Sequence, residues 1–143
     1  MYTKEQLAGI LLVTAVPKLK TKKANTRVGW TVRHSIEIRA PLRMIDGIER
    51  SLGSLFNIEP KRIPEPARHR DMLIVSRQAD VVSICNIMPD GAPAKSNSWS
   101  RMKRGMKVVE EGRHTTMEKK DFEVILIDET KDIYRQTRNR EDV

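Results

Sequence analysis

The strongest regularity in the chain is an alternation. From Val28 to Arg39, the residues Val28, Trp30, Val32, His34, Ile36 and Ile38 hold the even positions, and Gly29, Thr31, Arg33, Ser35, Glu37 and Arg39 the odd ones. A period of two held this long predicts a strand with one apolar face and one polar, basic face. Upstream, Lys18, Lys20 and Lys22 alternate with Leu19 and Thr21. This predicts an antiparallel partner strand, with the turn near Ala24-Asn25-Thr26. Before both strands, Leu7 to Val16 is apolar almost throughout. Thr3, followed by Glu5 and Gln6, marks a helix start, and Pro17 sets its end near Thr14. A helix apolar all round is expected to be buried on more than one side, against its own core and against a partner.

The spacing changes after Ala40. Leu42, Ile45, Ile48, Leu52 and Leu55 recur at three and four, an amphipathic helix opened by Pro41. Prolines 60, 64 and 66 predict a loop or a sheet edge, and Arg70 to Arg77 a better strand. "QADVVSICNIM" (78–88) predicts a third helix and "PDGAPAKSNS" (89–98) a loop. Residues 98–112 and 116–136 predict two more helices, the second capped by Thr116, and residues 137–143 a frayed tail. The order is helix, two strands, helix, two strands, helices. It predicts one α+β domain over residues 1–136, a four-stranded antiparallel sheet with helices on one face. No helix is left for the other face.

Length and charge sharpen this. The chain has 143 residues, enough for a core, and a net charge of +8 with a pI near 9.9. Such a balance favours an acidic partner, nucleic acid ahead of an anionic membrane surface. The apolar run from Ile10 to Val16 is far short of the roughly 20 residues a bilayer span requires. Neither a signal peptide nor an Arg-rich transit peptide is visible. An intracellular home is expected, mitochondrion or chloroplast included, with no membrane partner. The single cysteine, Cys85, excludes an internal disulfide and reads as a small core residue. His34, His69 and His114 lack metal-ligand spacing, and there is no phosphate-cradling glycine motif. No cofactor and no metal site are expected.

Eight basic residues and two acids lie before residue 41, so the first two strands carry most of the excess charge. Lys18, Lys20, Lys22, Lys23 and Arg27 are expected on phosphates. Thr31, Arg33, Ser35 and Arg39, alternating on one face, could reach base edges, because a major groove admits a two-stranded ribbon. Arg68 and Arg70 beside the fourth strand, Lys95 in the loop, and Arg101, Lys103 and Arg104 complete the expected nucleic-acid-binding set. The competing reading is a solvated strand and helix face. Trp99 and Trp30 could stack on bases, although Trp30 belongs to the greasy face and reads as core.

"LAGILLVTA" (Leu7 to Ala15) resembles the motif that names the LAGLIDADG homing endonucleases: Leu7, Ala8 and Gly9 match, and apolar Ile10 and Leu11 follow. "SIEIRAPLRMIDGIERSLG" is similar to that family's second strand and following helix. The stretch from Asp71 to Phe122 is similar to its last strand, third helix, lysine-bearing loop and terminal helices, including G-x-H-x-T from Gly112. The resemblance implies an α-β-β-α-β-β-α fold whose sheet forms a saddle over DNA. It also implies a first helix that packs on its mate through small residues, here with Leu7, Ala8, Gly9, Leu11 and Leu12 as the partner-facing set. Val13 stands where the family has a small residue and hinders close approach. The family holds a divalent metal through an acid at the motif's eighth position; here that position is Thr14, without charge. Glu5 and Glu37 are not placed to replace it, and Lys95 is the nearest match to the family's loop lysine.

The expectation is therefore a nucleic-acid-binding protein that is not an enzyme, its catalytic acid lost, with structured RNA or duplex DNA as partner. A homodimer, or another protein, is expected on the first helix. Two alternatives stand beside it: an active Mg²⁺-dependent endonuclease using another acid, and a protein-interaction module whose basic strands dock on an acidic partner.

Overall fold

The structure is a computed structural model that describes residues 1–89 and 97–126. The chain opens with a reciprocal cap: the Thr3 hydroxyl accepts from the Gln6 N–H (3.2 Å) and the Gln6 side chain accepts from the Thr3 N–H (3.0 Å). Helix α1 (Lys4–Thr14) then runs without a loop into strand β1 (Ala15–Lys23), which pairs with β2 (Trp30–Pro41). The turn between them is closed by the Thr26 hydroxyl donating to the Trp30 carbonyl (2.8 Å) and by Gly29 at φ +80°, a left-handed conformation that glycine adopts without strain. Helix α2 (Leu42–Phe56), edge strand β3 (Lys61–Glu65), strand β4 (Arg70–Val75) and helices α3 (Gln78–Ile87), α4 (Asn97–Glu110) and α5 (Lys119–Leu126) follow.

The sheet is antiparallel throughout, in the order β1-β2-β4-β3. The predicted α+β architecture with its α-β-β-α-β-β-α order is therefore present. Pro64 sits in an edge strand, where a missing N–H is tolerated, and Pro66 opens a single 3₁₀ turn into β4. Trp30, Ile36, Ile38 and Ala40 on β2 are buried together with Leu73 and Val75 on β4, Leu7 and Leu11 on α1, and Ile45, Ile48 and Leu52 on α2. The even-numbered face of β2 is thus the core face, and the helices pack on it. At the rim of the sheet, Arg62 on β3 joins Asp46 and Glu49 of α2 to Asp71 of β4 (2.8, 3.1 and 2.6 Å), and these carboxylates raise its pKa further. Cys85 is buried, as expected, and burial pushes its thiol up to about 11.

Several expectations are corrected. Helix α1 is buried on one side only: Leu7 and Leu11 are wholly inside this chain's own core, while Gly9 and Val13 (78% exposed) face outward. Leu7 and Leu11 therefore do not belong to a partner-facing set, because i, i+4 spacing stacks them on the inner stripe of the helix. Thr116 does not cap the last helix. Its hydroxyl donates to the Arg113 carbonyl in a short 3₁₀ turn, and α5 begins at Lys119. Neither tryptophan is free to stack on a base. Trp99 is buried, and Trp30 donates through Nε1 to the Met117 carbonyl (2.9 Å) with its ring 5.2 Å from Phe122. Lys95, the helix expected beyond Leu126 and the expected tail lie outside the described residues. Among those residues, no helix is long and apolar enough to cross a membrane.

Two glycines make opposite demands. A Cβ at Gly105 would lie 2.2 Å from Leu19 Cδ2 and 2.8 Å from Leu126 Cδ2, so α4 reaches β1 and α5 only because this position is bare. A Cβ at Gly9 would meet nothing within 4 Å. Gly105→Ala is expected to lower unfolding stability by about 1–3 kcal/mol through overpacking. Gly9→Ala is expected to raise the stability of the single chain, measured at a concentration that keeps copies apart, by about 0.5–1 kcal/mol through helix propensity. Urea titrations of both variants check the sign.

Candidate nucleic-acid interface

Strand register decides which polar side chains meet. On the face of the sheet opposite the core, β1 contributes Val16, Lys18, Lys20 and Lys22, which lie against Glu37, Ser35, Arg33 and Thr31 of β2. Arg39 and Pro41 continue that row, next to Met72 and Arg70 of β4, and Lys61, Ile63 and Glu65 of β3 complete it. None of these side chains is fully buried. Thr31, Arg33, Ser35 and Arg39 thus share one face, with Lys18, Lys20 and Lys22 beside them.

Strand β4 pairs with β2 only from Ile36 onward, so Lys18–Lys23 and Trp30–Ser35 pair with each other alone. This ribbon extends about 20 Å past the rest of the sheet, at roughly 3.3 Å per residue. Its reverse side is covered by Phe122 against Trp30 and by α4 against Leu19. It therefore presents one backed face rather than a free two-sided ribbon. From Lys18 to Arg33 it carries six cations and no acid. Among the described residues, Lys20, Lys22 and Arg33 have no ion-pair partner on it.

The centre of the face differs. Lys18 meets Glu37 at 2.9 Å, Arg39 meets Glu37 at 3.0 Å and Glu65 at 3.5 Å, and Arg70 meets Glu65 at 3.1 Å. Cations and carboxylates alternate across all four strands. The Lys18 hydrogen bond, and then Arg39, hold the Glu37 carboxyl below its usual range in spite of the desolvation that opposes them. This ladder was not legible beforehand. Glu37 and Glu65 are 28 residues apart, and only the pairing of β3 with β4 and of β4 with β2 brings them to one surface.

Glu37 also lies opposite Val16, two residues beyond Thr14. Thr14 itself donates to the Ile10 carbonyl at 2.8 Å, within its own helix. With Thr14 uncharged and Glu37 committed to two cations, these residues do not fit a divalent-metal site within one chain. Among the described residues, no group of three or more His, Cys, Asp or Glu could hold a metal ion.

The remaining expected contacts fall in different places. Lys23 lies opposite Trp30, on the core side but exposed at the end of β1, and Arg27 is exposed in the turn. Arg68 is exposed in the 3₁₀ turn before β4, off the four-strand ladder. Arg101 is exposed on α4, beside β1. Lys103 and Arg104 are corrections: Lys103 donates to the Met88 carbonyl at the end of α3, and Arg104 to the Leu126 carbonyl at 2.9 Å. Both tie α4 to its neighbouring helices: Lys103, two residues on from Arg101, falls on the other side of α4 and reaches α3, while Arg104, one turn on from Arg101, reaches α5 through its long side chain. Ala8 and Leu12 are partly buried on α1.

His34 and His114, 80 residues apart in sequence, come near each other where the 3₁₀ turn at Arg113–Thr115 meets β2. Burial, with a smaller contribution from His114, holds the His34 pKa below 6.5, and the backbone around Ser76 opposes this only in part.

No family model matches the sequence, and no curated protein matches it. The fold has clear counterparts among solved structures. The LAGLIDADG homing endonuclease I-SmaMI bound to cleaved DNA superposes with a TM-score of 0.66 at 10% identity, over 88% of this chain and 42% of that one. The homing endonuclease I-TnaI superposes with 0.61 at 15%, over 80% and 78%. The LAGLIDADG meganuclease I-CpaMI bound to uncleaved DNA superposes with 0.62 at 13%, over 82% and 41%. The fold is that of the LAGLIDADG homing endonucleases, and the chain spans about two fifths of the length of the I-SmaMI and I-CpaMI chains. The expectation that the protein is not an enzyme is overturned here. The structures that share its fold are enzymes, and an uncharged Thr14 is no demonstration of inactivity.

Two acid windows follow from the shifted groups. A histidine with a lowered folded pKa favours the fold above about pH 6.5, and that advantage is lost as pH falls toward the lowered value. A carboxyl with a lowered folded pKa stabilises above about pH 4.5 and loses that contribution as pH falls through its folded value. In thermal melts against pH, His34→Gln is expected to flatten the limb just below 6.5, and Glu37→Gln the limb below about 4.5.

Proposed function

We propose that the protein binds duplex DNA across the open face of its sheet, with Lys20, Lys22, Arg33 and the turn residue Arg27 on phosphates. The observation that carries this reading is the backed ribbon from Lys18 to Arg33, six cations without an acid on a strand pair that projects past the rest of the sheet. Cations without a carboxylate partner release counterions from a nucleic acid, and this drives salt-dependent binding. The neighbours bound to DNA support the choice of DNA over RNA. So does a row of Thr31, Arg33 and Ser35, whose polar groups suit base edges in a wide major groove better than the narrow one of an A-form helix. Charges on the ladder, already neutralised by Glu37 and Glu65, contribute register more than affinity.

A second copy of the chain is the proposed cover for α1. Gly9 and Val13 stand exposed one helical turn apart on its outer stripe, and Val16 follows at 50% exposure. Bare backbone at Gly9 lets a helix approach closely, and an exposed apolar stripe is stabilised by a mate. Two copies would extend the basic surface along a longer duplex.

In fluorescence anisotropy with a labelled duplex, the logarithm of affinity should fall linearly with the logarithm of salt. Lys20→Ala with Lys22→Ala should reduce the slope by about 2. Failure of the wild-type chain to bind at low salt would end the reading, and stronger competition by double-stranded RNA would move it to RNA. In sedimentation, the wild type is expected as a dimer and Val13→Asp as a monomer; a wild type that stays monomeric at tens of micromolar removes the second copy.

A further inference from the structure

The outer edge of the sheet carries a feature that the open face does not include. Between β1 and the first turns of α4 lies a hollow of about 290 Å³. Its floor is apolar, formed by Leu19 and Met102, and Lys18, Lys20, Arg101 and Ser98 stand around it. Met102 is fully buried and Leu19 nearly so, which gives the hollow a firm base. Arg101 is exposed and, among the described residues, has no carboxylate partner, and neither has Lys20. Lys18 is shared with Glu37 on the open face.

We infer that this hollow is a seat for a phosphate group, held chiefly by the Arg101 guanidinium with Lys20 beside it. This inference rests on the proposed binding of duplex DNA and extends it. Arg101 and Lys20, neither with a carboxylate partner among the described residues, border one concavity with no acid among its lining residues, and this favours an anion. A planar guanidinium grips a tetrahedral oxyanion through two parallel N–H donors, which a lysine cannot do. Lys18 and Lys20 belong to both surfaces, so the hollow continues the cationic track around the β1 edge. A duplex lying on the open face would bring a backbone phosphodiester over it as the strand leaves the sheet. A free phosphate compound offers the same chemistry without the duplex.

The test uses the full chain and Arg101→Ala, with Arg101→Lys as the conservative variant and equal melting temperatures as the check that each is folded. One arm measures duplex DNA affinity against salt. Arg101→Ala should lower the slope by about 1 and weaken binding about five- to tenfold at moderate salt, alike on unrelated sequences. Arg101→Lys should keep the slope, because the charge remains, but lose part of the affinity. The other arm titrates inorganic pyrophosphate without nucleic acid and follows backbone amide resonances of Lys20 and Arg101. Shifts in the wild type that vanish in Arg101→Ala, together with an unchanged DNA slope, assign the seat to a free phosphate compound. Arg101→Ala with neither arm altered overturns the seat. A wild type that binds pyrophosphate but no duplex overturns the DNA reading and leaves the seat standing.

Discussion

Strand β2 is the hinge of the molecule's chemistry. It pairs along both edges, with β1 on one side and β4 on the other, and is the longest strand among the described residues. Its side chains alternate without interruption, so Trp30, Ile36, Ile38 and Ala40 enter the core while Thr31, Arg33, Ser35, Glu37 and Arg39 stay out. A slip of one residue would exchange these sets and place two arginines and a glutamate under the helices, at a large desolvation penalty. Register, core and functional face are therefore set together by the same twelve residues.

The charges on the open face divide into two populations. At the ribbon end, Lys20, Lys22 and Arg33 have no ion-pair partner among the described residues, and solvent or an incoming anion would relieve their mutual repulsion. In the middle, Glu37 and Glu65 hold Lys18, Arg39 and Arg70 in fixed positions. Exposed ion pairs of this kind add little stability each. Their larger effect is to order long side chains, so that a ligand proposed for this face would lose less entropy on binding. A gradient from loose to ordered cations across one sheet separates affinity from positioning.

Helix α1 shows how a small domain spends an apolar segment twice. Its inner stripe, Leu7 and Leu11, completes the core, and its outer stripe, Gly9 and Val13, remains uncovered in the single chain. The helix then enters β1 directly, with the Ala15 N–H still bonded to the Leu11 carbonyl, so whatever covers the outer stripe is coupled rigidly to the basic strand. Solved structures with the same fold include chains more than twice the length matched here, and their sequences differ from this one at more than four positions in five. At that distance the architecture is held by hydrophobic pattern and pairing, not by individual residues.

Much of the architecture was legible from periodicity. The alternation in β2, the three-and-four spacing in α2, the Thr3 cap and the prolines of the β3 edge each state a local preference that the fold agrees with. The Thr116 cap was misread because a threonine before a charged run is equally at home in a short 3₁₀ turn. Arg104 and Lys103 looked like surface charge, since a sequence does not reveal which helix carbonyl a long side chain will reach. By itself the sequence determined which residues could line an apolar side and a cationic side, because that depends on spacing of two or of three to four. The tertiary structure alone decided that Glu37 and Glu65 meet on one surface, that His34 faces His114, and that Arg101 stands over β1. Those are contacts between distant segments, and strand register and helix docking create them.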